Sequence, residues 1–348
     1  MTLRDEIAEQ PAAIERLLRD GRAAVEEIAA AVGPRIEAGE IDLVVIAARG
    51  TSDHAAIYAQ YRFGTDLGLP VALAAPSILS LYGSEPRLRR ALVIGISQSG
   101  RSPDVVGVVA SGRRQGAPTI AITNEPGSEL ARATEHVVDL GVGPERAVAA
   151  TKTYTAELTA LAMLVGVLGG EEPAVLTGLP AAVRAAEAPD VERQARDVAA
   201  RLARHDRLIV VGRGFEYATA REIALKLKEL ARLSADPYST ADFLHGPLAL
   251  VEPGYPVLAL APSGRAAADA DALLARLAEL GVERIVLSDR EAAVRDADAG
   301  VRLPGGVPER LMPIVAIVPG QLIALHAAIA RGIDPEAPRW IRKVTLTR

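Results

Sequence analysis

The stretch Ala91-Leu-Val-Ile-Gly-Ile-Ser-Gln-Ser-Gly-Arg-Ser-Pro-Asp104 decides the fold. Its six apolar residues predict a buried β-strand, and the hydroxyl-rich loop after them leads into a helix with Pro103 in its first turn. Apolar runs of the same kind lie on either side, at residues 43–48 and 119–122. Amphipathic segments of about 12–15 residues separate them, as βαβ units require. The pattern therefore predicts an α/β fold with a doubly wound parallel sheet flanked by helices.

The same series of strands returns later in the chain, at residues 207–211, 257–261 and 284–287. Three short motifs also recur, each 164 positions further on: Arg49-Gly50 as Arg213-Gly214, Ser99-Gly100-Arg101 as Ser263-Gly264-Arg265, and Pro144-Glu145-Arg146 as Pro308-Glu309-Arg310. One large mixed sheet would leave this constant offset unexplained. The repeat predicts an internal duplication, with two tandem copies of one doubly wound domain.

Length and repeat together suggest the domain boundaries. A chain of 348 residues has room for two domains of about 150 residues each. We expect a helical N-terminal segment at residues 1–39, a first domain at 40–170 and a helical connector at 171–203. A second domain at 204–332 and a C-terminal tail at 333–348 complete the chain.

Composition excludes several classes of protein. The net charge is −5, from 39 basic and 44 acidic residues, which disfavours binding to nucleic acid or to an anionic membrane. There is no cysteine, so disulfides, thiolate metal sites and cysteine nucleophiles are excluded, and the five histidines show no metal-ligand spacing. We expect no metal and no cofactor. The N-terminus does not resemble a signal peptide, and prolines at 313 and 319 interrupt the most apolar stretch, so we expect a soluble, cytoplasmic protein.

Two loops of the first copy have the chemistry of an anion site. Ser97, Ser99 and Ser102 present hydroxyls where a strand leads into a helix, and the helix N-terminus favours a phosphate monoester. The loop Gly50-Thr51-Ser52 follows the first strand, and ligands of open α/β sheets bind beyond the carboxyl ends of strands. A serine-rich turn that only caps a helix is the alternative. The matched loop at 261–267 has lost most of its hydroxyls, so we expect one anion site per chain.

The second copy carries acid–base residues. Glu222, Lys226 and Glu229 are spaced i, i+4 and i+7 and therefore share one face of a predicted helix. A solvated face with an i,i+4 ion pair is the ordinary interpretation of such a pattern. His245 follows, directly before Gly246 and a proline that fix a turn. A carboxylate, an ammonium group and an imidazole near one anion site make a set for general acid–base catalysis.

These motifs resemble the sugar-isomerase (SIS) family of phosphosugar-binding domains. More narrowly, they resemble the isomerase half of glucosamine-6-phosphate synthase and the stand-alone aminosugar-phosphate deaminase/isomerases. Six segments in family order carry the resemblance: Gly50-Thr-Ser52, Ser97-Gln-Ser-Gly100, Gly143-Pro-Glu-Arg-Ala-Val-Ala-Ala-Thr-Lys152, Ala224-Leu-Lys-Leu-Lys-Glu229, His245-Gly-Pro-Leu and Pro338-Arg-Trp-Ile-Arg-Lys343-Val-Thr345.

The resemblance implies a role for each matched position. Five residues match positions that hold the sugar phosphate: Ser52, Ser97, Gln98, Ser99 and Ser102, and Gly50 belongs to the same motif as Ser52. Three residues match positions that line the sugar: Thr51, Val148 and Ala150. Glu229 matches the base that moves a proton between C1 and C2, and Lys226 matches its helper. His245 matches the ring-opening histidine, which the family supplies from the partner subunit of a homodimer. Lys343 matches a lysine that can form a Schiff base with the open-chain ketose. Ala150 and Arg342 depart from the synthase pattern, which has Ser and Ala there, and the Lys343-Val-Thr ending looks more like the deaminase branch.

The resemblance implies an aminosugar-phosphate deaminase/isomerase that converts glucosamine 6-phosphate, or a similar substrate, to fructose 6-phosphate and ammonia. A fructosamine-phosphate deglycase, a plain aldose–ketose isomerase and a relative of isomerising glutamine–fructose-6-phosphate aminotransferase that lacks the glutaminase are alternatives. A non-catalytic phosphosugar sensor is the non-enzyme alternative, although it would be expected to have lost Glu229 or His245. With no glutaminase half and no cysteine, we expect ammonia to come from solution or leave to it.

Overall fold

The computed structural model describes residues 2–343 and divides into two compact units. We call residues 12–145, 152–178 and 342–343 the N-terminal unit, and residues 2–11, 146–151 and 179–341 the C-terminal unit. Each unit thus takes in short stretches that are distant from its main body in the sequence. Arg146–Thr151, for example, belongs to the C-terminal unit although the chain on both sides of it belongs to the other one.

The N-terminal unit is built on a parallel sheet. Its strands are β1 (Leu43–Ala47), β2 (Val71–Leu73), β3 (Ala91–Ile96), β4 (Thr119–Thr123) and β5 (His136–Asp139). They lie in the order β2-β1-β3-β4-β5, and all neighbouring pairs run parallel. Every residue of β3 and β4 is buried, which explains why both read as continuous apolar runs rather than as alternating patterns.

Helices cover this sheet. They are α2 (Gln10–Asp20), which begins in the other unit, α3 (Arg22–Glu37), α4 (Thr51–Leu67), α5 (Ser77–Ser80), α6 (Pro103–Arg114), α7 (Glu129–Ala133) and α8 (Lys152–Leu168). A short 3₁₀ helix follows at Pro173–Leu176. One core cluster packs β3 against α6 and α7 through Val93, Val109 and Leu130. As the sequence predicts, α6 begins at Pro103, where a missing N–H is tolerated.

The C-terminal unit repeats the arrangement. Its strands are β6 (Arg207–Gly212), β7 (Ser234–Ser239), β8 (Pro256–Leu260), β9 (Glu283–Ser288) and β10 (Ala299–Arg302). They pair in parallel in the order β10-β9-β8-β6-β7, which is the order of the first sheet read from the other edge. The starts of β6 and β9 lie 164 positions after those of β1 and β4, the offset that the short motifs share.

The helices of this unit are α1 (Leu3–Ala8), α9 (Leu179–Ala185), α10 (Pro189–Leu202), α11 (Glu216–Ala231), α12 (Thr240–Leu244), α13 (Ala267–Glu279), α14 (Glu291–Arg295) and α15 (Met312–Ala330). Two 3₁₀ helices lie at Pro247–Leu250 and Glu309–Leu311. Among the described residues, α15 packs most extensively on α11 and α10. Gly320 permits the close approach to α11, because a Cβ there would overlap the side chain of Ile223.

The expectation that prolines interrupt the apolar stretch near residue 320 is wrong. Pro313 lies in the first turn of α15, where proline is tolerated, and Pro319 sits inside a helix that continues to Ala330. By length and composition alone, Glu309–Ala330 would suffice to cross a membrane, but 89% of its most apolar window is buried inside the protein. Burial on all sides explains why this helix is apolar around its whole circumference.

Candidate functional site

Both hydroxyl-rich loops follow adjacent strands of the first sheet. The loop at residues 48–50 follows β1, and the loop at 97–102 follows β3. These two strands pair in parallel, with Leu43 opposite Ala91 at one end and Ala47 opposite Gly95 at the other. The strand order reverses direction between β1 and β3. Ligands of open α/β sheets bind in the crevice at this switch point, so both loops stand where a ligand is expected.

The loop at 97–102 is held in a tight conformation around Gly100. The Gly100 N–H donates to the Ser97 hydroxyl at 3.1 Å, and the Ser99 hydroxyl accepts from the Arg101 N–H at 3.4 Å. Gly100 has φ 58°, and a Cβ there would overlap the side chain of Ser128. Both facts require glycine at this position. The half-buried Ser102 precedes α6 without a side-chain capping bond, so among the described contacts its hydroxyl does not serve as the helix cap.

Gln98 contributes its backbone to the same loop. Its carbonyl oxygen accepts from the Asn124 N–H at 3.1 Å and from the Thr123 hydroxyl at 3.3 Å, which ties the loop to the end of β4. The side chains of Gln98 and Ser99 are half-buried. The loop therefore keeps its shape through backbone contacts and leaves polar side chains at its surface.

An ion pair that the sequence analysis missed joins the two loops. Arg49 Nε lies 2.7 Å from Asp104 Oδ2, and the Asp104 side chain is buried while that of Arg49 is about half exposed. Arg49 comes directly after β1, and Asp104 lies in the first turn of α6. The two opposite charges largely cancel, and their pairing fixes the spacing between the loop after β1 and the start of α6.

The loop after β1 places Gly50 before α4 and Thr51 and Ser52 in its first turn. Gly50 has φ 56° and ψ −127°, a conformation that other residues rarely adopt. Ser52 is buried, and its hydroxyl donates to Glu157 Oε1 at 2.7 Å. The carboxylate of Glu157, on α8, was not singled out from the sequence. It fixes the direction of the Ser52 hydroxyl.

Lys343 also has a partner in the N-terminal unit. Its ammonium group lies 2.6 Å from Glu145 Oε2, and the Glu145 side chain is fully buried. The other carboxylate oxygen of Glu145 accepts from the Thr153 N–H at 3.0 Å, at the start of α8. Lys152 is buried beside them and donates to the Pro144 carbonyl at 2.8 Å. Glu145 lies inside the family-like motif at 143–152 and inside the repeated motif Pro144-Glu145-Arg146, and these are the sequence signals that marked it.

Helix α11 of the C-terminal unit assembles a buried charge cluster. Lys226 Nζ lies 2.5 Å from Glu229 Oε2 and 3.3 Å from Glu222 Oε1. The side chains of Glu222 and Lys226 are 0% and 1% exposed, whereas that of Glu229 is 23% exposed. The interpretation of this face as solvated is therefore wrong for Glu222 and Lys226. Only Glu229 reaches solvent, and a bonded ammonium group holds it in place.

The charge state of Lys226 follows from this pairing. Burial by itself lowers the pKa of a lysine, but the attractions of Glu222 and Glu229 outweigh it, so the pKa of Lys226 is raised above its ordinary value. Lys226 is therefore an ammonium ion at neutral pH. It serves as a positive anchor for Glu229 and not as a neutral base.

His245 lies on the surface of the C-terminal unit. It ends α12, with its backbone N–H bonded to Ala241 and Asp242, and Gly246 follows with φ 156° before a proline begins a 3₁₀ helix. The imidazole is exposed, and the large apolar side chains of Leu244 and Leu250 beside it are 47% and 50% exposed.

Val148 and Ala150 lie in Arg146–Thr151, a segment without helix or strand. Both are half-buried, while Ala147, Ala149 and Thr151 are buried. The two positions expected to line a sugar are therefore the two more accessible ones between Ala147 and Thr151.

The second copy has a loop at residues 261–267 that corresponds to the loop at 97–102, and acidic side chains bind its N–H groups. Glu309 accepts from the Arg265 and Ala266 N–H groups at 2.9 and 3.3 Å, and Asp289 accepts from the Ser263 N–H at 2.6 Å. The protein's own carboxylates thus occupy donors that a ligand would use. This explains in physical terms why the second loop retains no hydroxyl-rich sequence.

The structure brings the predicted residues together in groups within each unit. The loops at 50–52 and 97–102 lie on neighbouring strands of the N-terminal unit, and Lys343 pairs with Glu145 there. Lys226 and Glu229 are in contact on α11 of the C-terminal unit. Between Thr2 and Lys343, no group of three or more His, Asp or Glu side chains has the geometry to hold a metal ion.

Comparison with known proteins identifies the class. The SIS domain family matches residues 41–166 and 201–331, one match on each sheet. The isomerising glutamine–fructose-6-phosphate aminotransferase of Methanothermobacter thermautotrophicus is 35% identical over 344 residues, which cover 97% of this chain and 56% of that protein. The corresponding enzyme of Thermococcus kodakarensis is 36% identical, again with 97% and 56% covered. The chain therefore spans little more than half the length of these curated relatives.

Solved structures agree with this match. The C-terminal domain of glucosamine–fructose-6-phosphate aminotransferase from Francisella tularensis superposes with a TM-score of 0.84 at 26% identity, over 97% of this chain and 98% of that one. Glucosamine-6-phosphate deaminase from Thermotoga maritima shares the fold, with a TM-score of 0.72 at 23% identity over 96% and 100% of the chains. Fold, repeat and sequence define an α/β protein of two tandem doubly wound domains. The chain belongs to the SIS domain family, which confirms the predicted family and the two tandem doubly wound domains.

Proposed function

We propose that the protein is an aminosugar-phosphate deaminase/isomerase, which converts glucosamine 6-phosphate or a close analogue to fructose 6-phosphate and ammonia. The observation that carries the proposal is the cluster on α11, where the buried ammonium of Lys226 holds the partly exposed carboxylate of Glu229 at 2.5 Å. A carboxylate that is ionised, oriented and open to solvent on one side is suited to proton transfer at carbon. The named relatives act on the same class of substrate.

The sugar phosphate is anchored by the N-terminal unit in this proposal. Hydroxyls and backbone N–H groups at residues 97–102 and the start of α6 supply hydrogen bonds and a favourable dipole for a dianion. Ser52 lies in the first turn of α4, and its hydroxyl must turn its proton from Glu157 to the phosphate in order to contribute. The half-exposed guanidinium of Arg49 stands at the same edge, paired with Asp104. These groups bind phosphate without favouring any one sugar, so discrimination falls to the other contacts.

The chemistry then runs in three steps. The imidazole of His245 moves a proton from the anomeric hydroxyl to the ring oxygen, which opens the ring to the aldehyde. Glu229 takes the proton from C2 and returns it to C1, through a 1,2-enaminol, which yields a C2 imine and a C1 alcohol. Lys226 stays protonated and keeps Glu229 in position.

Release of ammonia completes the reaction. The amine of Lys343 adds to the C2 imine and expels ammonia, which leaves a lysine imine, and water hydrolyses that imine to fructose 6-phosphate and free lysine. One water is consumed and one ammonia released for each substrate. In the structure Lys343 is paired with Glu145 at 2.6 Å, so a proton must leave the ammonium group before attack, and Glu145 is placed to accept it.

The proposal is tested by incubating the purified protein with glucosamine 6-phosphate and measuring fructose 6-phosphate and ammonia in equal amounts. Glu229→Gln is expected to lower kcat at least about a hundredfold, the usual contribution of a positioned acid–base group. Glu279→Gln removes an exposed carboxylate on α13 and serves as the matched control. No turnover of any hexosamine phosphate, or full activity in Glu229→Gln, would show that the proposal is wrong.

Formation of the aminosugar is the second candidate function, because the aminotransferase relatives are 35% and 36% identical over 97% of this chain. Fructose 6-phosphate with ammonium chloride, and separately with glutamine, distinguishes the two directions. Product from ammonium but not from glutamine indicates a reversible ammonia-dependent enzyme. A fructosamine phosphate as substrate, or a simple ketose–aldose pair, identifies the deglycase and isomerase alternatives in the same assay.

We also propose that the protein acts as a cytoplasmic homodimer in which His245 serves the site of the partner subunit. Exposure of Leu244, His245 and Leu250 on one surface supports an apolar contact there. Equal amounts of His245→Ala and Glu229→Gln, mixed after mild dissociation, should regain about a quarter of wild-type activity, since half of the random dimers contain one intact site. Mixtures as inactive as the separate variants would contradict a shared site.

A further inference from the structure

A buried carboxylate in the N-terminal helix holds one end of the segment that presents Val148 and Ala150. Glu6 on α1 is 0% exposed, and its carboxylate accepts from the Arg146 N–H at 2.5 Å and from the Ala147 N–H at 3.2 Å. All of these residues belong to the C-terminal unit. A buried charge is tolerated only where hydrogen bonds compensate its lost hydration, so this carboxylate has a defined position.

Two buried amides hold the other end of the same segment. Gln10, at the start of α2, donates to Gln321 Oε1 at 2.9 Å, and Gln321 on α15 donates to the Thr151 carbonyl at 3.4 Å. Both side chains are almost completely buried, at 0% and 1% exposed. Glu6 therefore holds the first residues of Arg146–Thr151 directly, and Gln10 holds the last residue through Gln321.

These contacts hold a segment that forms no helix or strand. Its side chains between Arg146 and Thr151 are alanine and valine, which cannot form hydrogen bonds. The side chains of Ala147, Ala149 and Thr151 are buried. Its backbone position, and with it that of Val148 and Ala150, is set by polar groups of α1 and α2.

Helix α1 also contacts the C-terminal tail. The Leu3 N–H donates to Glu336 Oε1 at 2.8 Å, seven residues before Lys343. A capping box between Thr2 and Asp5 fixes the start of the helix and therefore the direction of the Leu3 N–H. One short helix thus carries bonds to the segment of Val148 and Ala150 and to the tail that contains Lys343.

We propose that Glu6 and Gln10 are positioning residues for recognition of the sugar, as distinct from its phosphate. They act through the backbone of Arg146–Thr151, which sets the surface that Val148 and Ala150 present to the carbon chain of the substrate. The inference rests on the proposed function, because it assigns that segment to the sugar. Affinity for the sugar portion is then controlled by helix α1, which lies outside both sheets. A change at Glu6 does not affect the loop at 97–102, which holds the phosphate in the proposed function.

The test compares two probes on the same variants. Glu6→Gln keeps the size of the side chain and removes its charge, and Glu15→Gln, on the exposed side of α2, is the matched control. For Glu6→Gln we expect kcat/KM for glucosamine 6-phosphate to fall about ten- to a hundredfold, a range typical of a small displacement of a substrate-contacting group. Inhibition by inorganic phosphate, which occupies only the anchor, should keep its inhibition constant within about twofold. Glu15→Gln should change neither quantity.

Calorimetric binding separates this inference from the proposed function. Glucose 6-phosphate and inorganic phosphate are titrated into wild type and Glu6→Gln whether or not the protein turns over an aminosugar phosphate. Loss of affinity for the sugar phosphate alone supports the inference. Equal loss for both probes, or loss for neither, overturns it. If Glu6→Gln does not fold, Gln10→Met, which breaks the contact chain to Thr151, decides by the same comparison.

Discussion

Replacement of Glu216 by Gln should change how the stability of the protein depends on pH. Glu216 is the first residue of α11 and is 3% exposed. Burial raises its pKa from 4.5 to about 8 in spite of the nearby Thr219 hydroxyl, which lowers it, and the carboxylates of Glu309 and Asp289 add to the increase. Glu216 is therefore neutral in the folded protein at pH 7 and ionised in the unfolded chain.

The sign and size of the effect follow from these two pKa values. Between pH 4.5 and 8 the folded protein retains a proton that the unfolded chain has released. The contribution of the neutral carboxyl to stability is complete below pH 4.5 and is lost as the pH rises towards 8. The loss is about 1.4 kcal/mol for each pH unit in that window. For a unit of this size, this corresponds to about 3–6 °C in Tm per pH unit.

Scanning calorimetry of wild type, Glu216→Gln and the exposed control Glu279→Gln at intervals from pH 5 to 9 measures this slope. The amide of Gln is neutral at every pH and close in shape to the protonated carboxyl. The Tm of Glu216→Gln should therefore rise relative to wild type by a few degrees per pH unit up to about pH 8 and then level off. A difference in Tm that does not vary with pH, or that shrinks as the pH rises, would refute the reasoning.

Three further predictions concern the site itself. Gly100→Ala should weaken inorganic phosphate binding at least about tenfold and destabilise the protein by about 1–3 kcal/mol, measured by calorimetry, because φ 58° and the overlap with Ser128 both exclude a Cβ. Lys226→Met should lower the free energy of unfolding, measured in urea, by about 3–5 kcal/mol, because it leaves Glu222 buried without its ammonium partner. Adding Glu222→Gln to this variant should restore its stability but not its turnover. Glu145→Gln should speed tryptic cleavage after Lys343 by several-fold, since the ion pair at 2.6 Å holds that residue, and unchanged cleavage would contradict it.

The sequence predicts the fold well where an apolar pattern is bounded by glycine or proline. β3, the loop after it and the start of α6 follow from an apolar run, a glycine with free conformation and Pro103 at a helix start. The constant offset of 164 between motifs appears again in the starts of strands, because a doubled domain repeats its lengths along with its residues. Pro319 misled the prediction because a helix buried on all sides compensates for one missing hydrogen bond.

The contacts that complete the site left no local trace in the sequence. Glu145 and Lys343 are 198 positions apart, and Ser52 and Glu157 are 105 apart. Periodicity indicates which side of a helix or strand is apolar, but it does not indicate which distant polar group a buried polar side chain contacts. The spacing of Glu222 and Lys226 does not show that the pair is buried, since an i,i+4 ion pair has the same sequence pattern on a solvated and on a buried face.

The two copies meet the N–H groups of one backbone design with different acceptors, and this supports the prediction of a single anion site. In both, a loop after the third strand of the sheet presents N–H groups that require acceptors. The first copy uses the neutral hydroxyls of Ser97 and Ser99. The second copy uses carboxylates, with Glu309 on the Arg265 and Ala266 N–H groups and Asp289 on Ser263. An incoming phosphate would meet two carboxylates there and lose more to repulsion than it gains in hydrogen bonds. The first copy has serine hydroxyls and an arginine at the matching edge. Inorganic phosphate should therefore bind with a stoichiometry of one per chain, which equilibrium dialysis can measure, and a second equivalent of similar affinity would contradict this account.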